Sequence, residues 1–281
     1  MPILYLLLFL QAGLIVTGGA VRITGSGLGC PTWPECTDGS YVPVAGQAEG
    51  AFHAWIEFGN RLLTFALFFA AIAAVIYAFR KARRDLLWRA GLQVLGILGQ
   101  GLLGGITVLT KLNPLSVASH FILSIFLIAG AASMVERGRS PKISIRPINQ
   151  KINLISKLHL SLTFLVILVG TLVTGSGPHA GDYQAPRLNF DIRAITWLHA
   201  DLVIALIGVT LALYVLSDLS PETSKRIKYF SVILLAQGLL GYLQYLNGLP
   251  ELMVGAHLVG STLVWIAAWR IWLSITTADR K

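Results

Sequence analysis

Apolar residues in this chain do not alternate with polar ones as they would in a half-buried strand. They run on for about twenty residues at a time, long enough for a helix to cross roughly 30 Å of hydrocarbon. Eight such runs are predicted, over residues 3–22, 53–79, 88–110, 115–135, 152–174, 193–216, 227–246 and 252–273. The first has no basic leading segment and is read as a retained span, not a cleaved signal.

The polar positions inside these runs come in two copies. Q-G-L-L-G occurs at Gln100–Gly104 and at Gln237–Gly241, and His120 and His257 follow at the same interval. T-G-S-G closes the first span at Thr24–Gly27 and the fifth at Thr174–Gly177. The helix after it carries I-E-F-G-N-R (Ile56–Arg61) in one half and I-T-W-L-H-A (Ile195–Ala200) in the other, which aligns Asn60 with His199. Internal repetition of this kind marks a duplicated architecture. An even number of spans per half gives both halves the same orientation, about an axis along the membrane normal. The predicted fold is therefore an all-α integral membrane protein, eight transmembrane helices arranged as two pseudo-symmetric four-helix bundles, residues 1–137 and 138–281. The glycines of Gln100–Gly105 are read as sites of close helix–helix approach.

Composition agrees: 55% of the 281 residues are hydrophobic and 12% charged, against about 25% charged in soluble proteins. Most of the 22 Lys and Arg fall in the connections 80–89, 136–157 and 225–228 and near the C-terminus, while Arg22, Arg61, Lys111, Arg187 and Arg193 mark the other side. The positive-inside rule then places both termini in the cytoplasm and the Cys30/Cys36 loop outside. The net charge of +9 reports topology and not a nucleic-acid surface, because it is divided among short loops. With no long targeting extension ahead of the first span, the expected location is a bacterial plasma membrane. Cys30 and Cys36 share the short loop C-P-T-W-P-E-C in a compartment that permits disulfides. A structural disulfide and a redox-active pair both fit; a zinc site lacks further ligands.

Counted from the outer ends of their helices, Asn60, His120, His199 and His257 lie at about the same depth, roughly 6–12 Å down at 1.5 Å per residue. Imidazole in hydrocarbon is costly and usually marks a site. Two ligands per bundle on parallel helices suit a flat cofactor, and haem iron takes axial histidine. His159 is expected at an interface and His179 in a solvated loop. Glu57 shares a helix face with Asn60 and either pairs with Arg61 or Arg22 or moves protons. Those arginines are also candidates for holding haem propionates. The second half offers two histidines, suited to electron transfer. The first offers His120 alone, which leaves an open iron face suited to catalysis.

The stretch G-G-A-V-R-I-T-G-S-G-L-G-C-P-T-W-P-E-C from Gly18 to Cys36, with I-E-F-G-N-R and the two histidine helices, resembles the heme A synthase family. The resemblance covers essentially the whole chain. It implies an enzyme of cytochrome oxidase biogenesis that oxidises the C8 methyl of heme O to a formyl by successive hydroxylation and loss of water. It implies heme B held by His199 and His257, substrate haem on His120, an essential acid at Glu57 and the outer-loop pair Cys30 and Cys36. Implied partners are heme O, heme O synthase, cytochrome oxidase assembly factors, an unidentified electron donor and the lipid bilayer. Asn60 departs from the family, which usually has histidine there, and a second cysteine pair found in some relatives is absent. A five-coordinate substrate haem with Asn60 in the distal pocket follows; His53 is the weaker substitute ligand. The rival reading is a non-catalytic di-haem cytochrome passing electrons, for instance from quinol. A two-repeat transporter fits less well, because the polar residues gather near one face and not at mid-membrane.

Overall fold

The computed structural model describes residues 1–139, 143–145, 149–179, 181–216 and 219–279. Lys142, Arg146, Arg280 and Lys281, part of the basic side expected above, lie outside the described residues. The elements run α1 (Pro2–Ile23), α2 (Ala51–Arg80), α3 (Arg84–Leu109), α4 (Pro114–Arg139), β1 (Ile143–Ile145), α5 (Gln150–Ser176), α6 (Ile192–Leu216), α7 (Pro221–Leu246), α8 (Glu251–Thr276) and β2 (Thr277–Asp279). All eight helices are long and apolar enough to cross a membrane, as their uninterrupted hydrophobic runs required. The chain is thus a multi-pass membrane protein. The two short strands pair antiparallel beside the chain's end.

Several helices outlast their apolar runs. Ser220 caps α7 by accepting from the Thr223 N–H at 3.2 Å, with Pro221 at the first turn, so the helix starts six residues before the run predicted over 227–246. Asn149 caps α5 in the same way from the Lys151 N–H. α4 continues through Arg137 and Arg139, past the end of the run predicted over 115–135. Charged residues at a helix end keep their helical hydrogen bonds while their heads leave the hydrocarbon, so hydropathy alone stops short of the true ends.

Within α1–α4, each helix packs on the next and α1 closes on α4; α5–α8 repeat this, with α5 closing on α8. Contacts of α8 with α1 and α4, and of α4 with α5, join the two sets. The buried side chains divide along the same lines. One cluster includes Leu7, Ala71, Ala74 and Met134, a second includes Leu206, Leu213, Phe230 and Ile271, and a third, with Ile15, Ile128, Ile167 and Trp265, lies between them.

In hydrocarbon every polar group needs an internal partner, and the helices supply several, within the first half and across the joint. Within α1–α4, Gln11 Nε2 donates to Gln93 Oε1 at 2.8 Å, and Gln93 Nε2 donates to the Leu127 carbonyl at 2.9 Å. Trp265 Nε1 donates to the Ile125 carbonyl and Trp269 Nε1 to Ser133 Oγ, each at 2.8 Å. At one end of the molecule, Glu136 accepts from Arg226 at 2.9 Å and from Arg270 at 2.7 Å. The cysteine loop, the α3–α4 turn and the α5–α6 loop gather at the opposite end, where the Gly27 N–H donates to the Gly181 carbonyl at 2.9 Å and Leu112 packs against Gly27.

Replacing Glu136 by Ala leaves Arg226 and Arg270 without their shared counter-charge. The expected cost is about 3 kcal/mol, measured as a lowered unfolding midpoint in detergent. Glu222→Ala, which removes only the exposed partner of Arg226, should cost less than about 1 kcal/mol.

Candidate functional site

Three histidines in three different helices are held in one way. His120 in α4 turns its Nδ1–Cε1 edge onto Gly104 of α3, where a Cβ would stand 3.4 Å from Cε1 and 3.9 Å from Nδ1. His257 in α8 meets Gly241 of α7 at the same two distances, 3.4 and 3.9 Å. His199 in α6 meets Gly170 of α5 at 3.2 and 3.6 Å. An alanine Cβ would press on the ring at Gly170 and only touch it at Gly104 and Gly241, so the rings lie directly on these helix backbones.

Among the described residues, the Nδ1 atom of each of these three rings is buried without a hydrogen-bond partner. The Val166 carbonyl lies near His199 but not in hydrogen-bonding alignment. Gln100 Oε1 and Gln237 Oε1, the leading residues of the two Q-G-L-L-G copies, are buried and unpartnered as well. Gln100 Nε2 donates to the His120 carbonyl at 3.1 Å and to Ser124 Oγ at 2.6 Å. Nε2 of each of the three rings is not among the enclosed atoms, so that edge remains available.

His199 and His257 face one another with ring centres 6.5 Å apart and planes at 68°. A metal bound by an imidazole nitrogen at about 2 Å on each side accounts for most of such a separation. Two unprotonated Nε2 atoms form a donor set suited to iron in a porphyrin. Among the described residues, no group of three or more His, Cys, Asp or Glu gathers to hold a bare metal ion.

In the first half the position matching His199 is Asn60, and it is partnered: Thr17 Oγ1 of α1 donates to Asn60 Oδ1 at 2.7 Å. The place in α5 that corresponds to Thr17 is Ile167, which offers nothing to His199. His53 gives its Nδ1 to a hydrogen bond with Ser26 Oγ at 2.9 Å and its ring edge to Phe52.

Glu57 is 6% exposed. Its Oε2 accepts from the Cys30 N–H at 2.7 Å, and its Oε1 from Arg61 Nη2 at 2.7 Å and Nε at 3.2 Å. Arg61 then reaches into the loop, donating to the carbonyls of Cys30 at 2.8 Å, Thr32 at 3.1 Å and Glu35 at 3.0 Å. Cys30 and Cys36 are joined in a disulfide and fully buried. The Glu57–Arg61 pair therefore pins the cysteine loop to α2 by its backbone. Arg22 is engaged in a similar way across the halves, its Nε donating to the His179 carbonyl and its Nη2 to the Thr174 carbonyl at 2.9 Å.

Two expectations are corrected by burial. His159 does not face outward from the helices: it is 1% exposed, its ring against Phe230 at 4.7 Å between centres. His179 is not a free loop residue, since its Nε2 is 2.7 Å from the Leu249 carbonyl. The glycines of the first repeat also do something other than bring helix backbones together. Gly104 seats the His120 ring, and Gly105 seats the indole of Trp33 from the cysteine loop. Sequence reasoning missed that indole contact. Its trace was present: the second copy reads Q-G-L-L-G-Y, with Tyr242 where the first has Gly105.

Comparison with known proteins agrees with the motifs. The family described as cytochrome oxidase assembly protein (COX15-CtaA) matches residues 2–187. A heme A synthase of Azorhizobium caulinodans is 28% identical over 320 aligned positions, covering 94% of this chain and 90% of that protein. One from Geobacillus kaustophilus is 34% identical over 116 residues, 40% of this chain and only 35% of that protein. One from Methylorubrum populi is 29% identical over 208 residues, covering 62% and 53%.

Arg61→Ala should free the cysteine loop without disturbing the His199/His257 pair. Reduction of the Cys30–Cys36 disulfide, followed by thiol labelling, should accelerate at least about tenfold, the factor expected when roughly 1.4 kcal/mol of local stability is lost. An unchanged rate means that the disulfide and the Trp33 contact hold the loop without the guanidinium.

Proposed function

The chain belongs to the COX15-CtaA family of cytochrome oxidase assembly proteins, and from that premise we propose that it is an oxidoreductase converting heme O to heme A by oxidising the C8 methyl to a formyl. The observation that carries this reading is the matched seating of His120, His199 and His257 on glycines, with Nδ1 enclosed and Nε2 left free. Residues 1–137 form the substrate half and residues 138–281 the cofactor half of a two-bundle molecule. The Cys30/Cys36 end faces the outside and both termini face the cytoplasm of a bacterial plasma membrane.

Heme B, when bound between His199 and His257, supplies a one-electron redox centre. Gly170 and Gly241 fix the ring positions of its two ligands. His120 binds the iron of the substrate haem, with Gly104 behind it. Asn60, held through its carbonyl oxygen by Thr17, presents its amide toward the same half and leaves one side of the substrate iron without a strong ligand. Glu57 takes part through the loop that it holds. With Arg61 it keeps the Cys30–Cys36 segment and Trp33 over the outer end of α3, which keeps water from the substrate half. Of the propionate contacts open to the arginines, Arg22 retains Nη1 for one, whereas all three nitrogens of Arg61 already donate to protein oxygens.

Haem extracted from the purified protein should include heme O or heme A alongside heme B; heme B alone would establish the electron-carrying cytochrome instead. His199→Ala and His257→Ala should each abolish the low-spin signal of the second half, and His120→Ala should retain it. Glu57→Ala should stop heme A formation with that signal intact. Persistent product in the Glu57 variant removes the clamp from the reaction.

A further inference from the structure

At the end of the molecule opposite the cysteine loop, α1, α4 and α8 meet around a cleft that the proposed reaction does not use. Its floor is apolar, formed by Leu8, Val135 and Ile266, and its mouth carries Tyr5, Arg139 and Arg270. Glu136 also lines it, but its carboxylate is already engaged by Arg226 at 2.9 Å and by Arg270 Nε at 2.7 Å. Arg139 Nε donates to the Tyr5 hydroxyl, and its Nη1 stands 4.0 Å from Glu136, too far for a hydrogen bond.

Among the described residues, Nη1 and Nη2 of both Arg139 and Arg270 have no hydrogen-bond partner. Both side chains are partly exposed, 47% and 37%. The Tyr5 hydroxyl accepts from Arg139 and keeps its own proton to donate. Two guanidiniums with free N–H groups and a phenol thus surround the mouth of a groove whose depth is hydrocarbon, with one neutralised carboxylate behind them. Arginine forks match phosphate oxygens in geometry, and basic pockets between transmembrane helices suit anionic lipid headgroups.

We propose that this cleft binds an anionic phospholipid from the leaflet at the arginine-rich end, its phosphate between Arg139 and Arg270 and an acyl chain along Leu8, Val135 and Ile266. The occupant is a lipid and not a free anion because the polar residues share the cleft with apolar ones, Leu8, Val135 and Ile266, on helices long and apolar enough to cross a membrane. Charge complementarity selects an anionic head, since the guanidiniums outnumber the carboxylate. The bound lipid bridges α1 and α4 of the first half to α8 of the second.

The test uses the full-length protein with its haem. Phosphatidylglycerol and phosphatidylcholine with identical acyl chains are titrated in detergent, and bound lipid is counted by native mass spectrometry beside the unfolding midpoint. Phosphatidylglycerol should bind about tenfold more tightly, as expected when two arginines meet a head group of net negative charge and not one whose choline cancels the phosphate. The preference should vanish in Arg139→Gln/Arg270→Gln and persist in Arg80→Gln, an exposed arginine at the same end. Equal affinity for the two lipids in the wild type overturns the proposal, and that comparison stands even if the double variant does not fold. So does an undiminished preference in a folded double variant, or equal stabilisation by inorganic phosphate alone.

Discussion

A polar ring inside hydrocarbon needs something to hold it and something to bind, and the arrangement of this molecule follows from that need. His120, His199 and His257 sit in helices long and apolar enough to cross a membrane, where the usual solvent partners of imidazole are missing. The chain provides a glycine behind each ring, on the neighbouring helix, and leaves Nε2 without a protein partner. The glycine fixes position by contact alone. It makes no hydrogen bond that would occupy the ring's other edge. The two Q-G-L-L-G copies are the sequence trace of that solution, and their spacing to the histidines is conserved within the chain because the seat and the ring must stay in register across two helices.

The same requirement explains the halves' divergence. The repeat position of Thr17 is Ile167, which has no hydroxyl to offer His199. Asn60 is tied to Thr17 by a hydrogen bond. The dependence runs one way: an unpartnered amide is costly in hydrocarbon and Thr17 supplies its partner, whereas the hydroxyl also reaches the Leu14 carbonyl of its own helix at 3.3 Å.

The chain's hydrophobic pattern made the eight helices legible, because a run of about twenty apolar residues has few alternatives. Their ends were less so, since capping by Ser220 and Asn149 and the charged last turn of α4 extend helices where hydropathy has already fallen. The matched placing of His120 and His257 after the two Q-G-L-L-G copies could be counted from sequence. The Glu57–Arg61 pairing was one of two readings at that stage; the reach of Arg61 to three loop carbonyls was hidden, because backbone acceptors leave no mark in residue identity. The burial of His159 escaped for a related reason: position along a helix gives depth, but only packing against Phe230 gives the direction a side chain faces.

Arg22 has a consequence for how a duplicated chain ages. In the second copy the corresponding place is Leu172, so the guanidinium that crosses to the Thr174 and His179 carbonyls exists once. A molecule built from two second halves would lack that bridge altogether. The repeats have ceased to be exchangeable parts.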